Sequence, residues 1–389
     1  MQPKEAVEIL AIDWETEGNP NFDLSFRLSD PIDLLTICSS LITIEESPSN
    51  REDNAAQEKT KVLKLAHSSV KDYLINDRIL RSRAAFYAVE EPTSQAFIGK
   101  CCLVYLLQFS TPVKEEIAQA FPLTRYAAQY WPHHLLAAGN TQSQSLEDLA
   151  FALLMSDQVS YASWRHFYDP DMPWLDEYRS RWTAKAKANA NSPLYYTSLL
   201  GLERLSERLI KAKVDPNVSG GLLQTPLLAA VNRGHEKIVR TLLRAGATVD
   251  GAQKHSPTPL TVAAARGHEV IVRDLLKKGA YIDHCALNGG TALSSAARNG
   301  HGTIVRILLD AGADPDKWSR KSDFGPPLVE AASNGFEDVV RQLLPSATSF
   351  AIKHALVAAA DKGHENTVRS IITNGAFIRV CLSPLANAL

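Results

Sequence analysis

The stretch Thr225-Pro226-Leu227-Leu228-Ala229-Ala230-Val231-Asn232-Arg233-Gly234-His235-Glu236-Lys237-Ile238-Val239-Arg240-Thr241-Leu242-Leu243-Arg244-Ala245-Gly246-Ala247 decides the fold. Thr225 can cap a helix N-terminus, and Pro226 fits the first helical position, where no amide hydrogen is needed. Leu227, Ala230 and Val231 then fall at i, i+3 and i+4 and form one apolar face. Ala229 and Ala230 are small enough to let a neighbouring element approach closely. Gly234 supplies the left-handed residue that ends the helix. The spacing predicts a second helix over Glu236 to Arg244, with Ile238, Val239, Leu242 and Leu243 inward and Gly246 as its stop. Ala247 to Ser256 reads as an extended, polar finger.

Outward from this stretch the pattern repeats. Leu194, Leu227, Leu260 and Leu293 are spaced by 33 three times over, and Gly201, Gly234, Gly267 and Gly300 keep the same period. The period then loosens, to 35 from Leu293 to Leu328 and 28 from Leu328 to Leu356. Pro326-Pro327-Leu328 and His354-Ala355-Leu356 are expected to open two further units, with glycines at 335 and 363. A unit of this size cannot bury its apolar face alone, so several must stack. A shortened unit near Pro345 predicts a bend or fray. Ser383-Pro384-Leu385 reads as the opening of another unit, and the array is expected to lack a proper cap.

The motifs Thr225-Pro226-Leu227, Gly234-His235, Leu242-Leu243 and Gly246-Ala247 resemble the ankyrin repeat. They recur as Gly267-His268, Leu275-Leu276 and Gly279-Ala280, then as Gly300-His301, Leu308-Leu309 and Gly312-Ala313. The departures are Leu228, Thr261 and Ser294, which replace the pattern's first histidine and are expected to loosen the array, and Phe336, which replaces the later one. His235, His268, His301 and His364 recur at one repeat position. No His-Glu-x-x-His pair forms, because Val239, Val272 and Val368 follow, so structural hydrogen bonding is expected rather than metal ligation.

The other half reads differently. A helix from Asp30-Pro31 to Ser40, a strand at Leu41–Ile44, a polar loop from Glu45 to Lys59 and a returning strand at Val62–Leu65 make a winged-helix arrangement. Helices are expected at Val70–Asn76, Arg81–Val89, Pro92–Phe109, Val113–Ala138 and Leu146–Met155, with an aromatic piece at Tyr161–Trp182 and a small, polar linker at Ala184–Ser192. The expected fold is mainly α: a winged-helix-like domain over 1–110, a helical extension and linker over 111–191, and about six ankyrin repeats over 192–389, the last two irregular.

Arg27-Leu28-Ser29-Asp30-Pro31, Leu65-Ala66-His67-Ser68-Ser69-Val70-Lys71-Asp72-Tyr73-Leu74, Cys102-Leu103-Val104-Tyr105-Leu106-Leu107 and Pro122-Leu123-Thr124-Arg125-Tyr126-Ala127-Ala128-Gln129-Tyr130-Trp131 occur in that order. They resemble the segment that follows the NTPase in fungal NACHT–ankyrin (NLR-like, STAND) proteins, over roughly residues 5–137. That NTPase cradles phosphate with Gly-x-x-x-x-Gly-Lys-Ser/Thr. Here Gly99-Lys100 precedes Cys101, and Ser94 stands where the first glycine belongs, so no nucleotide site is expected. The resemblance implies the rear part of such a protein, as a truncated gene product or a partial sequence.

Charge agrees with two modules. The 389 residues carry a net charge of −2, but 1–191 hold 18 basic and 26 acidic residues and 192–389 hold 23 and 17. The near-balance argues against a whole-chain polyanion binder. Five cysteines show no pairing rhythm and no Cys-x-x-Cys, so neither a disulfide framework nor a zinc ribbon is indicated, and a reducing compartment is expected. The charged N-terminal stretch is not expected to act as a signal peptide, and no apolar run is long enough to span a membrane. Cytoplasmic localisation is expected, the nucleus staying open. No Gly-x-Ser-x-Gly elbow occurs. His133-His134 lack a carboxylate one turn away, and Ser68 or Ser69 reads as a cap. The Pro31–Ser40 helix has Asp33 and no Lys or Arg, which equips it poorly for DNA, although Lys59, Lys61 and Lys64 lie near the wing.

The expected function is a non-enzymatic protein-interaction module without cofactor or metal. A regulatory fragment of a NACHT-type NTPase is the alternative, and winged-helix DNA binding the third reading. Unit one carries Leu199-Leu200 at the two positions before its glycine, where other units are mainly polar, with Tyr195 and Tyr196 nearby, which points to a contact with the first half. By resemblance to the family, the positions just before each unit-ending glycine line the concave groove. Arg233, Arg266 and Arg298 there form a basic ladder at about 10 Å steps, the width of one helix layer. Trp318, Arg320 and Lys321 extend it on the next finger with a hot-spot composition. An acidic or phosphorylated protein segment is the expected ligand.

Overall fold

Pro132 sits inside a helix, and its consequence organises the first half of the molecule. In the computed structural model this helix, α2, runs Leu123–Ala137 and packs against α1, Glu91–Leu107. Proline has no amide hydrogen, so it leaves the carbonyl four residues earlier, on Ala128, without its helical donor. The indole Nε1 of Trp164 donates to that carbonyl at 2.8 Å. Trp164 belongs to α4, Val159–Phe167, which follows α3, Gln144–Met155. Trp164 and Trp131 are both fully buried and meet edge to face, their centroids 5.4 Å apart. Replacing Trp164 by phenylalanine keeps the ring packing but orphans a buried acceptor. A loss of about 1–3 kcal/mol is expected in urea unfolding. Pro132→Ala in the same background returns a helical donor to Ala128 and should restore part of it.

The structure describes residues 12–13, 21–22, 42–47, 60–65, 90–109, 121–139, 144–156, 159–171, 192–251, 257–285, 290–318 and 325–374. The chain divides into two compact units, 1–190 and 191–389. In the first, β1 (Ile12–Asp13) pairs antiparallel with β2 (Asn21–Phe22). β3 (Ile42–Ser47) pairs antiparallel with β4 (Thr60–Leu65), Ile42 opposite Leu65 and Ser47 opposite Thr60. The hairpin of the sequence reading is present, and its strands are longer than read. The helix read over Pro31–Ser40 and those over 70–76 and 81–89 lie outside the described residues. The helical stretch read from Val113 to Ala138 is corrected. Residues 113–120 are outside the description, and the observed helix begins at Leu123, after Pro122.

The second unit is a stack of helix pairs. The inner helices are α5 (Pro193–Leu200), α7 (Pro226–Arg233), α9 (Pro259–Arg266), α11 (Ala292–Arg298), α13 (Pro327–Ser333) and α15 (Ser349–Asp361). The outer helices are α6 (Glu203–Lys211), α8 (Glu236–Arg244), α10 (Glu269–Lys277), α12 (Gly302–Asp310), α14 (Glu337–Leu343) and α16 (Glu365–Thr373). Each helix packs on its partner and on its counterparts in the neighbouring pairs. The hydroxyls of Ser192, Thr225, Thr258 and Thr291 accept the first free amides of their helices at 3.1–3.2 Å, from Leu194, Leu228, Thr261 and Ser294. The alanine pairs 229–230, 263–264, 296–297 and 331–332 are fully buried, which lets successive inner helices approach.

One sequence reading changes here. The sixth pair opens at Thr348, whose hydroxyl accepts from the Ala351 amide at 3.4 Å. Its helix begins at Ser349, ahead of the His354-Ala355-Leu356 opening read from the sequence. The cause is local: α14 runs through a single 3-10 turn at Leu344–Ser346 into the Thr348 cap, leaving no room for a finger. Thr261 and Ser294 stand where the repeat pattern has its first histidine. Their hydroxyls donate to the carbonyls of Thr258 and Thr291 at 2.8 and 3.0 Å, closing a reciprocal bond with the capping residue. Leu228, with no hydroxyl, makes no such bond.

Candidate functional site

A row of side-chain oxygens ties one finger to the next. Asn217 Oδ1 accepts from the Thr248 amide at 2.8 Å, Asp250 Oδ1 from Tyr281 at 2.9 Å, and Asp283 Oδ1 from Asp314 at 3.0 Å. Asp316 accepts from both the amide and the hydroxyl of Thr348, at 3.0 and 3.1 Å. The acceptors at 217, 250, 283 and 316 keep the 33-residue period. The sequence reading missed them, although that spacing was the signal. Of the read finger, residues 249–250 form a turn, and 252–256 lie outside the description.

The recurring histidines bind each pair to its predecessor. His235 Nε2 donates to the Leu199 carbonyl at 3.4 Å, His301 to Ala265 at 3.2 Å and His364 to Ser333 at 3.1 Å. Each acceptor stands two residues before a unit-ending glycine, and the ring lies against that glycine. His268 lies over Gly234 in the same way and faces Asn232, but its Nε2 falls outside hydrogen-bonding geometry and is buried without a partner among the described residues. Phe336 fills the equivalent seat over Gly300 with a ring that cannot donate. Burial holds His235 and His268 below their ordinary value, and the charges of Arg233 and Arg266 push the same way. Among the described residues, no three His, Cys, Asp or Glu side chains converge as a metal site.

His134 is also structural. It is buried, its Nδ1 donates to Gln95 Oε1 at 2.6 Å, and its Nε2 accepts from the Tyr126 hydroxyl at 3.1 Å. Burial, with the charge of His133 beside it, pushes it down to about 4.

The ladder residues occupy two registers. Arg233 and Arg266 are exposed, and each stands immediately before its glycine. Arg298 is exposed but falls one residue earlier, at the place of Asn232 and Ala265, and its Nε lies 3.8 Å from the carboxylate of Glu330, a buried residue of the next pair. Trp318 is half-buried and stacks on Phe350 at 6.4 Å, the planes 14° apart, and Phe350 meets His354 at 4.0 Å. Arg320 and Lys321 lie outside the described residues. Tyr195, Tyr196 and Leu199 of the first pair are buried, and the Tyr195 hydroxyl accepts from the Leu223 amide at 3.2 Å. No helix among the described residues is long and apolar enough to cross a membrane.

Helix pairs with a Thr-Pro-Leu start, a Gly-His seam and a 33-residue finger register leave one assignment. The repeats are ankyrin repeats. A family model described as "Ankyrin repeats (3 copies)" matches residues 194–286 and 248–318. A curated relative, "Azaphilone pigments biosynthesis cluster protein L" of Monascus ruber, is 31% identical over 255 residues, 63% of this chain and 52% of that protein. The chain thus spans about half the length of the curated relative it matches. Among solved structures, the human ASB11 ankyrin repeat domain is 26% identical, with a TM-score of 0.43, covering 48% of this chain and 84% of that one.

Proposed function

We propose that this chain is a non-enzymatic module that holds a partner protein on its ankyrin stack, in intracellular signalling or recognition. Ankyrin repeats generally serve protein–protein interaction, and a stack tied by histidine and finger bonds presents side chains on a rigid support. The observation that carries the reading is the placement of Arg233 and Arg266, exposed at one register of successive pairs. Arg298 adds a third cation on the next pair, and the Trp318–Phe350 stack adds aromatic surface. Guanidinium groups fork onto carboxylate or phosphate oxygens, so an acidic or phosphorylated segment is the ligand class. Arg320 and Lys321 belong to the same proposed surface by sequence. The resemblance of the first half to NACHT–ankyrin proteins supports a signalling role in the cytoplasm. The Monascus ruber relative fits a fungal setting. No nucleotide, metal or other cofactor forms part of the reading.

Reversing Arg233, Arg266 and Arg298 to glutamate tests it. Circular dichroism should be unchanged, because Arg233 and Arg266 are exposed and the Arg298–Glu330 pair is loose. Retention of acidic and phosphorylated peptides by the immobilised protein should fall at least tenfold. Equal retention by the triple variant would move the binding surface elsewhere.

A further inference from the structure

The place that meets Arg298 from the next pair holds an acid, and the same place after Arg233 and after Arg266 does not. Counted two residues past the marker leucine, it is Val262 in the pair after Arg233, Ser295 in the pair after Arg266 and Glu330 in the pair after Arg298. Glu330 is buried and its carboxylate is fixed. Oε1 accepts from the Gly325 amide at 2.6 Å, and Oε2 lies 3.8 Å from Arg298 Nε. A buried carboxylate is screened less than a surface one, so its field acts on Arg298 across that gap. Register adds to this. Arg298 stands one residue earlier than Arg233 and Arg266, and one residue is a turn of about 100° on a helix. Arg233 and Arg266 are both exposed, both stand immediately before their glycines, and neither joins an ion pair among the described residues.

We propose that Arg233 and Arg266 form a two-point seat for a polyproline-II segment phosphorylated at positions three residues apart, and that Glu330 withholds Arg298 from it. The inference rests on the reading of this face as a ligand surface. Spacing selects the segment. Helices packed side by side lie about 8–10 Å apart, and the two arginines differ by one such step. In polyproline II every third side chain returns to the same face after about 9.3 Å. A β-strand returns side chains to one face after about 6.7 or 13 Å, which misses the step on both sides. Charge selects the group. An exposed arginine holds a carboxylate only weakly. A phosphoryl group brings about two charges and several acceptor oxygens to each guanidinium.

Fluorescence anisotropy of labelled, proline-rich peptides against the full chain tests the assignment. A peptide with two phosphoserines at i and i+3 should bind about tenfold tighter than one with a single phosphoserine. Spacings of i+2 and i+4 should bind several-fold more weakly than i+3. A third phosphoserine, three residues further on, should add little for the parent beyond the statistical effect of a second register. In Glu330→Gln, which keeps an oxygen for the Gly325 amide, the third group should tighten binding about tenfold, and Arg298→Gln added to that variant should remove the gain. In the parent, Arg298→Gln should leave the doubly phosphorylated peptide unaffected, while Arg266→Gln should reduce it to the level of the single one, a comparison that does not depend on the folding of Glu330→Gln. Equal affinity for single and double phosphopeptides, or equal losses from Arg298→Gln and Arg266→Gln, would overturn the two-point seat. A third-group gain as large in the parent as in Glu330→Gln, or one that survives Arg298→Gln, would overturn the role of Glu330. Binding of no phosphopeptide by the parent would remove the ligand reading beneath both, a result distinct from the others.

Discussion

Gly234→Ala should destabilise the repeat unit by about 1–3 kcal/mol more than Gly246→Ala, although both glycines hold left-handed backbone. Gly234 has φ 78° and Gly246 φ 89°. Any side chain there carries a backbone cost of roughly 1–2 kcal/mol, shared by both substitutions. The difference is steric. A Cβ at Gly234 would stand 2.7 Å from Cε1 of His268, and one at Gly246 meets nothing within 4 Å among the described residues. To relieve the overlap, the His268 ring must leave the seam between α7 and α9, with the packing it makes there, at an overpacking cost of about 1–3 kcal/mol. Urea unfolding followed by circular dichroism gives both values. His268→Ala added to Gly234→Ala should cost less than the two separate losses combined, because the second change removes the first one's clash. Equal losses for Gly234→Ala and Gly246→Ala would show that the ring seat carries no weight.

The helix pairs were legible because each boundary is a local chemical event. A threonine cap, a proline at the first helical position and a glycine stop act within a few residues, so α7 and α8 fall where the sequence places them. Elements fixed by distant partners were harder to read. The start of the sixth pair depends on the missing finger before it, and counting back from Leu356 and Gly363 misses the upstream turn of α15. The Ala128 carbonyl's need for Trp164 is set by Pro132, but the donor lies 36 residues away, beyond any periodicity.

The candidate site was legible in composition and less so in register. Arg233, Arg266 and Arg298 were readable as cations near repeat ends, and their exposure follows from the polar side of each helix. That Arg298 turns toward Glu330 could not be read, since the two residues approach only across the stacked pairs. The finger acceptors at 217, 250, 283 and 316 escaped notice for another reason. Asp and Asn are ordinary turn residues, and only the 33-residue spacing marks these as links between fingers.

Stability should fall steadily as pH drops from about 7 toward about 4.5, through neutral histidines that folding shields from protons. Burial first, then the neighbouring His133, brings His134 from 6.5 to about 4. Burial likewise lowers His235 and His268, each with an arginine beside it adding to the shift. The folded state therefore binds fewer protons than the unfolded chain between each lowered histidine value and the ordinary one. Stability rises with pH in that window. The contribution is complete above about pH 6.5 and is lost as pH falls, for His134 down to about 4. Protonation also breaks geometry. A charged His134 has a hydrogen on Nε2, which cannot accept from the Tyr126 hydroxyl. His235 already donates from Nε2, so its added proton falls on the other nitrogen, and it is opposed by burial first, then by the charges of Arg233 and His268. Thermal melts at several pH values should show this slope, and the variant His134→Gln/His235→Gln/His268→Gln should flatten it, because glutamine keeps an amide donor and does not titrate. A variant as acid-sensitive as the parent would assign the loss to other groups.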